Sequence, residues 1–404
     1  MKQNNKIYRT EVIWKPERLP DEDPEDSCPI DCKILIEWCN LLNNARCNND
    51  TKRRLLLIVS AAALFFLLSS MGSTYAVSES TYAVKEVSSW NENEQSLDQM
   101  HEIGLLHIKN AIPLPQIVDD NIANVDEPLQ DGDVTYFFHI PRTAGASVKD
   151  ILGSCAGLIT ASDVGARDGH ALDANLTIVL DELGSKYVNV DTSTVNGIKR
   201  AKNLGLVESG LADVIVTQYL YAGATLFNPN KRGRMFTFVR HPIERAVSMF
   251  HYLSIATWEP TYDPDLAYIT IEMYSRSLRI EHNWMTRLLS NELENDLTLQ
   301  HLEIAKEVLR KKCIIGLLED KSESWDRFER FFGWKFPTVR QRECQERILH
   351  WGWSNKHSHP ILEEGSLAWN LLLKRNELDM KLYEYALTLY QEQAALFGEG
   401  GSLV

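Results

Sequence analysis

Tyr136-Phe137-Phe138-His139-Ile140-Pro141-Arg142-Thr143-Ala144-Gly145-Ala146-Ser147 is the stretch whose reading decides the fold. Val134–Ile140 is an apolar run that reads as a buried strand. Pro141 starts a tight loop, and Ala144–Cys155 has the pattern of a helix. The same grammar returns in Met235-Phe236-Thr237-Phe238-Val239-Arg240-His241-Pro242-Ile243-Glu244-Arg245-Ala246-Val247-Ser248. There a strand over Gly233–Arg240 turns at Pro242 into a helix over Pro242–Leu253. Proline suits the first helical turn, where its missing N–H costs nothing. Each segment puts a fixed cation at the turn, Arg142 or Arg240, and a hydroxyl on the helix, Ser147 or Ser248. Helix N-terminal N–H groups, a cation and a hydroxyl together hold a phosphate-like anion. Two such devices in one domain point to a ligand with two separated anionic groups.

Outward from these segments, short apolar runs alternate with helical ones. Tyr187–Asp191, Asp213–Gln218 and Cys313–Leu318 read as strands. Asp265–Leu289, Leu297–Lys312, Ser322–Phe332 and Asn376–Phe397 read as helices. This alternation predicts an α/β fold, a P-loop-like parallel sheet flanked by helices. It places Arg240 at the C-terminal edge of the sheet, where open α/β folds bind ligands.

The chain has 404 residues, 44% hydrophobic and 24% charged, which is ordinary for a globular protein. A net charge of -14 argues against nucleic acid as a general partner, since that needs a cationic face. A local basic pocket remains compatible with it.

Leu55 to Ser78 contains no charged residue, and Lys52, Arg53 and Arg54 abut its start. The run is long enough to span a bilayer, and the flanking cations keep the N-terminus cytoplasmic. The expected organisation is a cytoplasmic tail (1–54), a transmembrane signal anchor (55–72), a stem (73–130), a catalytic domain (131–397) and a C-terminal tail (398–404). Pro113 and Pro115 read as breakers within the stem. Cys28, Cys32, Cys39 and Cys47 then lie on the reducing side without the spacing of a zinc site. Cys155, Cys313 and Cys344 lie on the oxidising side, where one disulfide can form. Asn175-Leu176-Thr177 is a glycosylation sequon on that same side.

The first loop is not a Walker A motif, which requires GxxxxGK[ST]. Pro141–Ser147 is shorter and carries its cation before the turn. Gly145 lets backbone approach an anion, and Ser147 offers a hydroxyl. Arg240, on a rigid strand end, is a two-pronged donor for phosphate, and the turn at Pro242 folds Ser248 back toward it.

Residues 134–155 and 233–253 resemble the two nucleotide-binding elements of the Golgi carbohydrate sulfotransferases, and most of all their membrane-bound, heparan- and chondroitin-type branch. The resemblance implies that Arg142, Thr143, Ala144, Gly145, Ala146 and Ser147 grip the 5′-phosphosulfate of 3′-phosphoadenosine 5′-phosphosulfate. It implies that Arg240 and Ser248 grip the 3′-phosphate. Asn283-Trp284-Met285-Thr286-Arg287 resembles a family segment beside the site. Gly316-Leu317-Leu318-Glu319 resembles the family's last strand, Asn355-Lys356-His357-Ser358 its closing loop, and the run from Asp379 to Ala386 its final helix. The implied reaction passes a sulfuryl group in line to an acceptor oxygen and needs no metal. Arg142 stands where the family usually has lysine. Being always charged, it stabilises the leaving oxygen without lending a proton.

One departure stands out. Where the family often has a histidine after the strand Asp213–Val216, this chain has Thr217-Gln218-Tyr219. Glutamine takes no proton at neutral pH and can only orient the acceptor. The remaining candidates for the base are His139 and His170, with His241, His251 and Glu244 behind them. The expected function is sulfuryl transfer to a carbohydrate hydroxyl by a single-pass type II enzyme of the Golgi membrane, with its catalytic domain lumenal. The competing readings are a nucleotide-dependent phosphotransferase, a non-catalytic glycan-binding or scaffold protein, and a membrane receptor.

Overall fold

Side chains alternate between two buried faces along the central strands, so both faces need covering by helices. On β1 (Val134–Phe138), Tyr136 and Phe138 enter one core while Phe137 enters the other. The computed structural model describes residues 112–259, 261–277, 282–351 and 360–397. The tail, the anchor, most of the stem, the loop Asn355–Ser358 and the C-terminal tail lie outside the described residues. Among the described residues, no helix is long and apolar enough to cross a membrane.

The other strands are β2 (Thr160–Ala161), β3 (Ile178–Leu180), β4 (Lys186–Val188), β5 (Val214–Thr217), β6 (Gly233–Val239) and β7 (Cys313–Leu317). Their order is β3-β4-β2-β5-β1-β6-β7. Every neighbouring pair is parallel except β3 and β4, which form an antiparallel edge. β6 obeys the alternation of β1: Met235 and Val239 join the first core, Phe236 and Phe238 the second.

The helices used below are α1 (Gly145–Asp150), α2 (Val195–Asn203), α3 (Pro242–Leu253), α4 (Trp284–Ser290), α5 (Leu299–Lys312), α6 (Lys321–Phe332), α7 (Val339–Trp351), α8 (Leu367–Arg375) and α9 (Glu377–Glu392). α2, α4, α5 and α9 cover the first face through Ile198, Leu288, Val308 and Leu389, among others. α1 with its π-helical continuation Ile151–Cys155, α6 and α7 cover the second through Val148, Leu152, Trp325 and Ile348. A fully buried leucine or phenylalanine contributes roughly 1.5–3 kcal/mol, so these two layers supply most of the driving force.

Three expectations change. Asp265–Leu289 is not one helix. A 3-10 turn (Pro264–Tyr268), a short helix (Ile271–Arg276) and α4 replace it, because Thr270 caps one start and Asn283, at φ 52°, breaks the chain before the other. The sheet is not wholly parallel, since the β3–β4 edge is a hairpin. The last part of the presumed stem is folded onto the domain. Leu114, Val118 and Ile122, spaced one helical turn apart, are buried in the first core. Pro115 does not break that helix; it stands at its N-cap. Buried Arg234 and Lys312 hold this segment through backbone carbonyls of Asn124, Pro128, Asp119 and Ile122.

A disulfide joins Cys155, at the end of the helix after the first loop, to Cys344 on α7, and Cys313 is a buried free thiol. The bridge spans 189 residues of sequence, and the chain-entropy model puts its upper contribution near 5 kcal/mol. Cys344→Ser should cost about 2–4 kcal/mol in urea unfolding, and reductant should bring the wild type to the same midpoint. An unchanged midpoint in both cases would show that the bridge does not hold this layer.

Candidate active site

The chain leaves β1 and β6, which are neighbours, toward opposite faces of the sheet. After β1 it enters α1 on the second face and continues to β2. After β6 it passes α3 and reaches α5 on the first face before β7. A crevice therefore opens outside the C-terminal ends of β1 and β6, the switch point at which open α/β sheets bind ligands. Both segments singled out in the sequence border it.

The first loop is strained. Arg142 and Ala144 have φ of 70° and 73°, a left-handed region that L-residues enter at a cost of about 1 kcal/mol or more. This curl directs the Arg142 side chain across the crevice. Its Nε donates to Ser248 Oγ at 3.0 Å, and its guanidinium lies 4.3 Å from the centre of the Tyr252 ring. Ala144 is the N-cap of α1, so the first-turn N–H groups at Gly145, Ala146 and Ser147 have no helical carbonyl to bind. Thr143 faces inward: fully buried, its hydroxyl donates to Ile140 O at 2.8 Å. Its side chain holds the loop.

From the second segment, Arg240 Nη1 donates to Arg142 O at 3.4 Å, and Nη2 reaches Glu244 Oε2 at 3.4 Å. Ser248 thus meets Arg142 rather than Arg240, since it lies further along α3 than the turn itself. The two guanidinium groups share one half-buried region. Burial is the first cause lowering both their pKa values, Arg142 to about 10. For Arg142, Tyr252 and Glu259 oppose the shift while Arg240 and Arg245 add to it. For Arg240, Glu244 and Glu319 oppose it. Both remain cations near neutral pH, close together, and an anion between them would relieve their repulsion.

The histidines fall in different places. His139 is wedged between Phe137, stacked at 5.7 Å between centroids, and the backbone of Gly145. A Cβ at Gly145 would sit 1.9 Å from His139 Nε2. Burial, with help from Lys149 and Arg142, pushes its pKa down to about 3 against the pull of Asp163. It is a neutral packing group and a weak base. His170 sits in a 3-10 turn between β2 and β3, its Nδ1 2.9 Å from Asp173 Oδ2. Its backbone N–H donates to the Arg167 carbonyl. His241 stacks on Trp369 and meets Tyr383 edge-on. His251 packs against Phe250. Gln218 is half-buried just beyond β5, whose Thr217 carbonyl accepts from His139 N at 2.9 Å.

The Asn283–Arg287 segment is a lock. Asn283 Oδ1 accepts from Leu378 N and Asp379 N at the start of α9. Asp379, wholly buried, accepts from Met285 N, Thr286 N and Thr286 Oγ1 at the start of α4. Each helix caps the other. Burial raises the Asp379 pKa, opposed first by the charge of Arg245 on α3. Arg287 closes the loop after α4 through carbonyls of His282, Glu292 and Asn295. α3, which carries Ser248, is thereby tied electrostatically to a rigid pair of helices.

Sequence reasoning missed Tyr252, Trp258 and Glu259. Tyr252 lies one turn beyond Ser248, on the same face of α3, and that i+4 spacing is the signal that could have revealed it. Tyr252 Oη donates to Glu259 Oε1, and Trp258 Nε1 donates to Tyr252 Oη at 3.2 Å.

Residues 225–386 match the model of the Sulfotransferase family. That range includes Arg240, Ser248, the Asn283–Arg287 segment and most of α9. Among solved structures, the chain is similar to mouse sulfotransferase SULT7A1 complexed with PAP, at 12% identity and a TM-score of 0.34, over 66% of this chain and 90% of that one. No curated protein matches the chain.

Gly145→Ala should destabilise the domain by about 1–3 kcal/mol through overpacking against His139. Adding His139→Ala should remove most of the penalty for the alanine at 145, as a double-mutant cycle in urea would read. Additive losses would mean that the two residues do not touch. His139 also sets part of the acid response. Its folded pKa lies below its unfolded value, so the unfolded chain binds the proton first as pH falls from about 6.5 toward 3. Stability is lost across that window, and His139→Gln should flatten this part of the acid slope.

Proposed function

We propose that this chain binds 3′-phosphoadenosine 5′-phosphosulfate in the β1–β6 crevice and transfers its sulfuryl group to a hydroxyl of a carbohydrate. One observation carries the reading: Arg142, Ser248 and Arg240 converge at the C-terminal edge of adjacent strands. The family match over residues 225–386 supports it, because it spans the second of the two elements.

The residues fit the donor. The first loop and the start of α1 take the 5′-phosphosulfate: Arg142, the N–H groups of Gly145, Ala146 and Ser147, and the Ser147 hydroxyl. Gly145, without a Cβ, lets this turn pass directly over His139. Arg240 and Ser248 take the 3′-phosphate. The bond from sulfur to the bridging phosphate oxygen breaks while a bond from sulfur to the acceptor oxygen forms. Charge grows on the bridging oxygen, and Arg142, fixed by Ser248 and Tyr252, is placed to stabilise it without moving. Gln218 orients the acceptor hydroxyl. The Cys155–Cys344 bridge supports an oxidising compartment. The exposed sequon at Asn175 agrees with it. Both accord with a Golgi-lumenal domain anchored by residues 55–72, a type II membrane protein.

Thermal shift with 3′-phosphoadenosine 5′-phosphate tests the reading. At a hundredfold excess over Kd the ligand should add about 2.7 kcal/mol of stability, while ATP should add little. Arg240→Ala removes a charge-assisted phosphate contact and should weaken binding by at least about a hundredfold. Equal shifts with ATP, or unchanged affinity in the variant, would overturn the assignment.

A further inference from the structure

Sulfuryl transfer leaves the acceptor's proton in need of a base. His139 is packed under Gly145, His170 lies in the 3-10 turn between β2 and β3, and His241 is stacked on Trp369. Gln218 cannot be protonated near neutral pH. A carboxylate nonetheless stands beside the cation that faces the reacting group. The Arg142 guanidinium covers the Tyr252 ring at 4.3 Å, and the Tyr252 hydroxyl is hydrogen-bonded to Glu259 Oε1. Glu259 is near enough to Arg142 to act on it electrostatically. It is half-buried, and its second oxygen, Oε2, has no hydrogen bond among the described residues. Trp258 donates its indole N–H to the same tyrosine oxygen and leaves 63% of its surface exposed. A large aromatic surface left open beside a charged site is the kind of wall on which the apolar face of a sugar ring rests.

We propose that Glu259 is the catalytic base of this site and that Trp258 is the wall of its acceptor subsite. This rests on the sulfuryl-transfer reading. The acceptor hydroxyl lies between Trp258 and the sulfuryl group. As the acceptor oxygen bonds to sulfur and the sulfur–oxygen bond to the nucleotide breaks, the hydroxyl proton passes to Glu259 Oε2. The nucleotide leaves with its bridging oxygen held as an anion by Arg142. Tyr252 is a positioning residue: through its hydroxyl it fixes Glu259, and through its ring it fixes Arg142. Among the described residues, Tyr252 from α3 is hydrogen-bonded to Glu259, and Arg142 from the first loop interacts with it electrostatically. Arg240 and Arg245 act on Arg142 in turn.

The test uses the full chain with radiolabelled 3′-phosphoadenosine 5′-phosphosulfate and a panel of desulfated glycosaminoglycans and neutral polysaccharides. Glu259→Gln should lower kcat by about 10²–10⁴-fold, the usual worth of a positioned base. It should leave the thermal shift with 3′-phosphoadenosine 5′-phosphate unchanged, which also shows that the variant is folded. Glu259→Asp should recover part of the rate. Trp258→Ala should raise the acceptor KM with little change in kcat. If the wild type transfers sulfate and Glu259→Gln does so at the same rate, the assignment of Glu259 is overturned while the sulfuryl-transfer reading stands. If the wild type neither binds the nucleotide nor transfers sulfate, both fall.

Discussion

One hydrogen bond organises the site: Arg142 Nε to Ser248 Oγ, across the gap between the loops that follow β1 and β6. It requires Arg142 to adopt a left-handed backbone, Gly145 to leave room for His139, and α3 to run back toward the first loop from the turn at Pro242. Each condition is met by a different part of the fold, and each costs stability that the two cores supply. The product is two guanidinium groups held near each other without a full complement of carboxylates. Such a concentration of charge inside an acidic protein is a local field aimed at an anion, and it needs no overall positive charge.

The rigidity behind that field comes from residues that touch no ligand. The mutual capping of α4 and α9 by Asn283 and Asp379 buries a carboxylate at the junction of two helix N-termini, where their dipoles and N–H groups favour it. Arg245 balances part of that charge from α3, the helix that presents Ser248 and Tyr252. On the other side, the Cys155–Cys344 bridge ties the end of the first-loop helix to α7. The crevice is thus braced from both faces of the sheet.

Much of this was legible in the sequence, for a reason that can be named. Strand, turn and helix around Arg142 and Arg240 carry strong local signals: continuous apolar runs, a proline at a helix start, a glycine at a tight turn. α3 runs over the residues its pattern predicts. The helix Gln116–Asn121 was hidden by prolines that read as breakers yet lie at its start. The short strands β2 and β3 have too few residues to show a period. In the site, the converging cations were readable because each sits at a turn. The pairing of Ser248 with Arg142 rather than Arg240 was not, because it depends on the curl that φ 70° gives Arg142. The inert character of His139 follows from burial under a glycine in another element, a tertiary fact with no local trace. The Tyr252–Glu259 pair lies across a turn after α3, beyond the reach of helical periodicity.

The most direct measurement is the crystal structure of the catalytic domain grown with 3′-phosphoadenosine 5′-phosphate. The nucleotide is expected in the crevice between β1 and β6, with its 5′-phosphate on Arg142 and the start of α1 and its 3′-phosphate on Arg240 and Ser248. Nucleotide bound elsewhere, or guanidinium groups of Arg142 and Arg240 turned away from a common ligand, would contradict it.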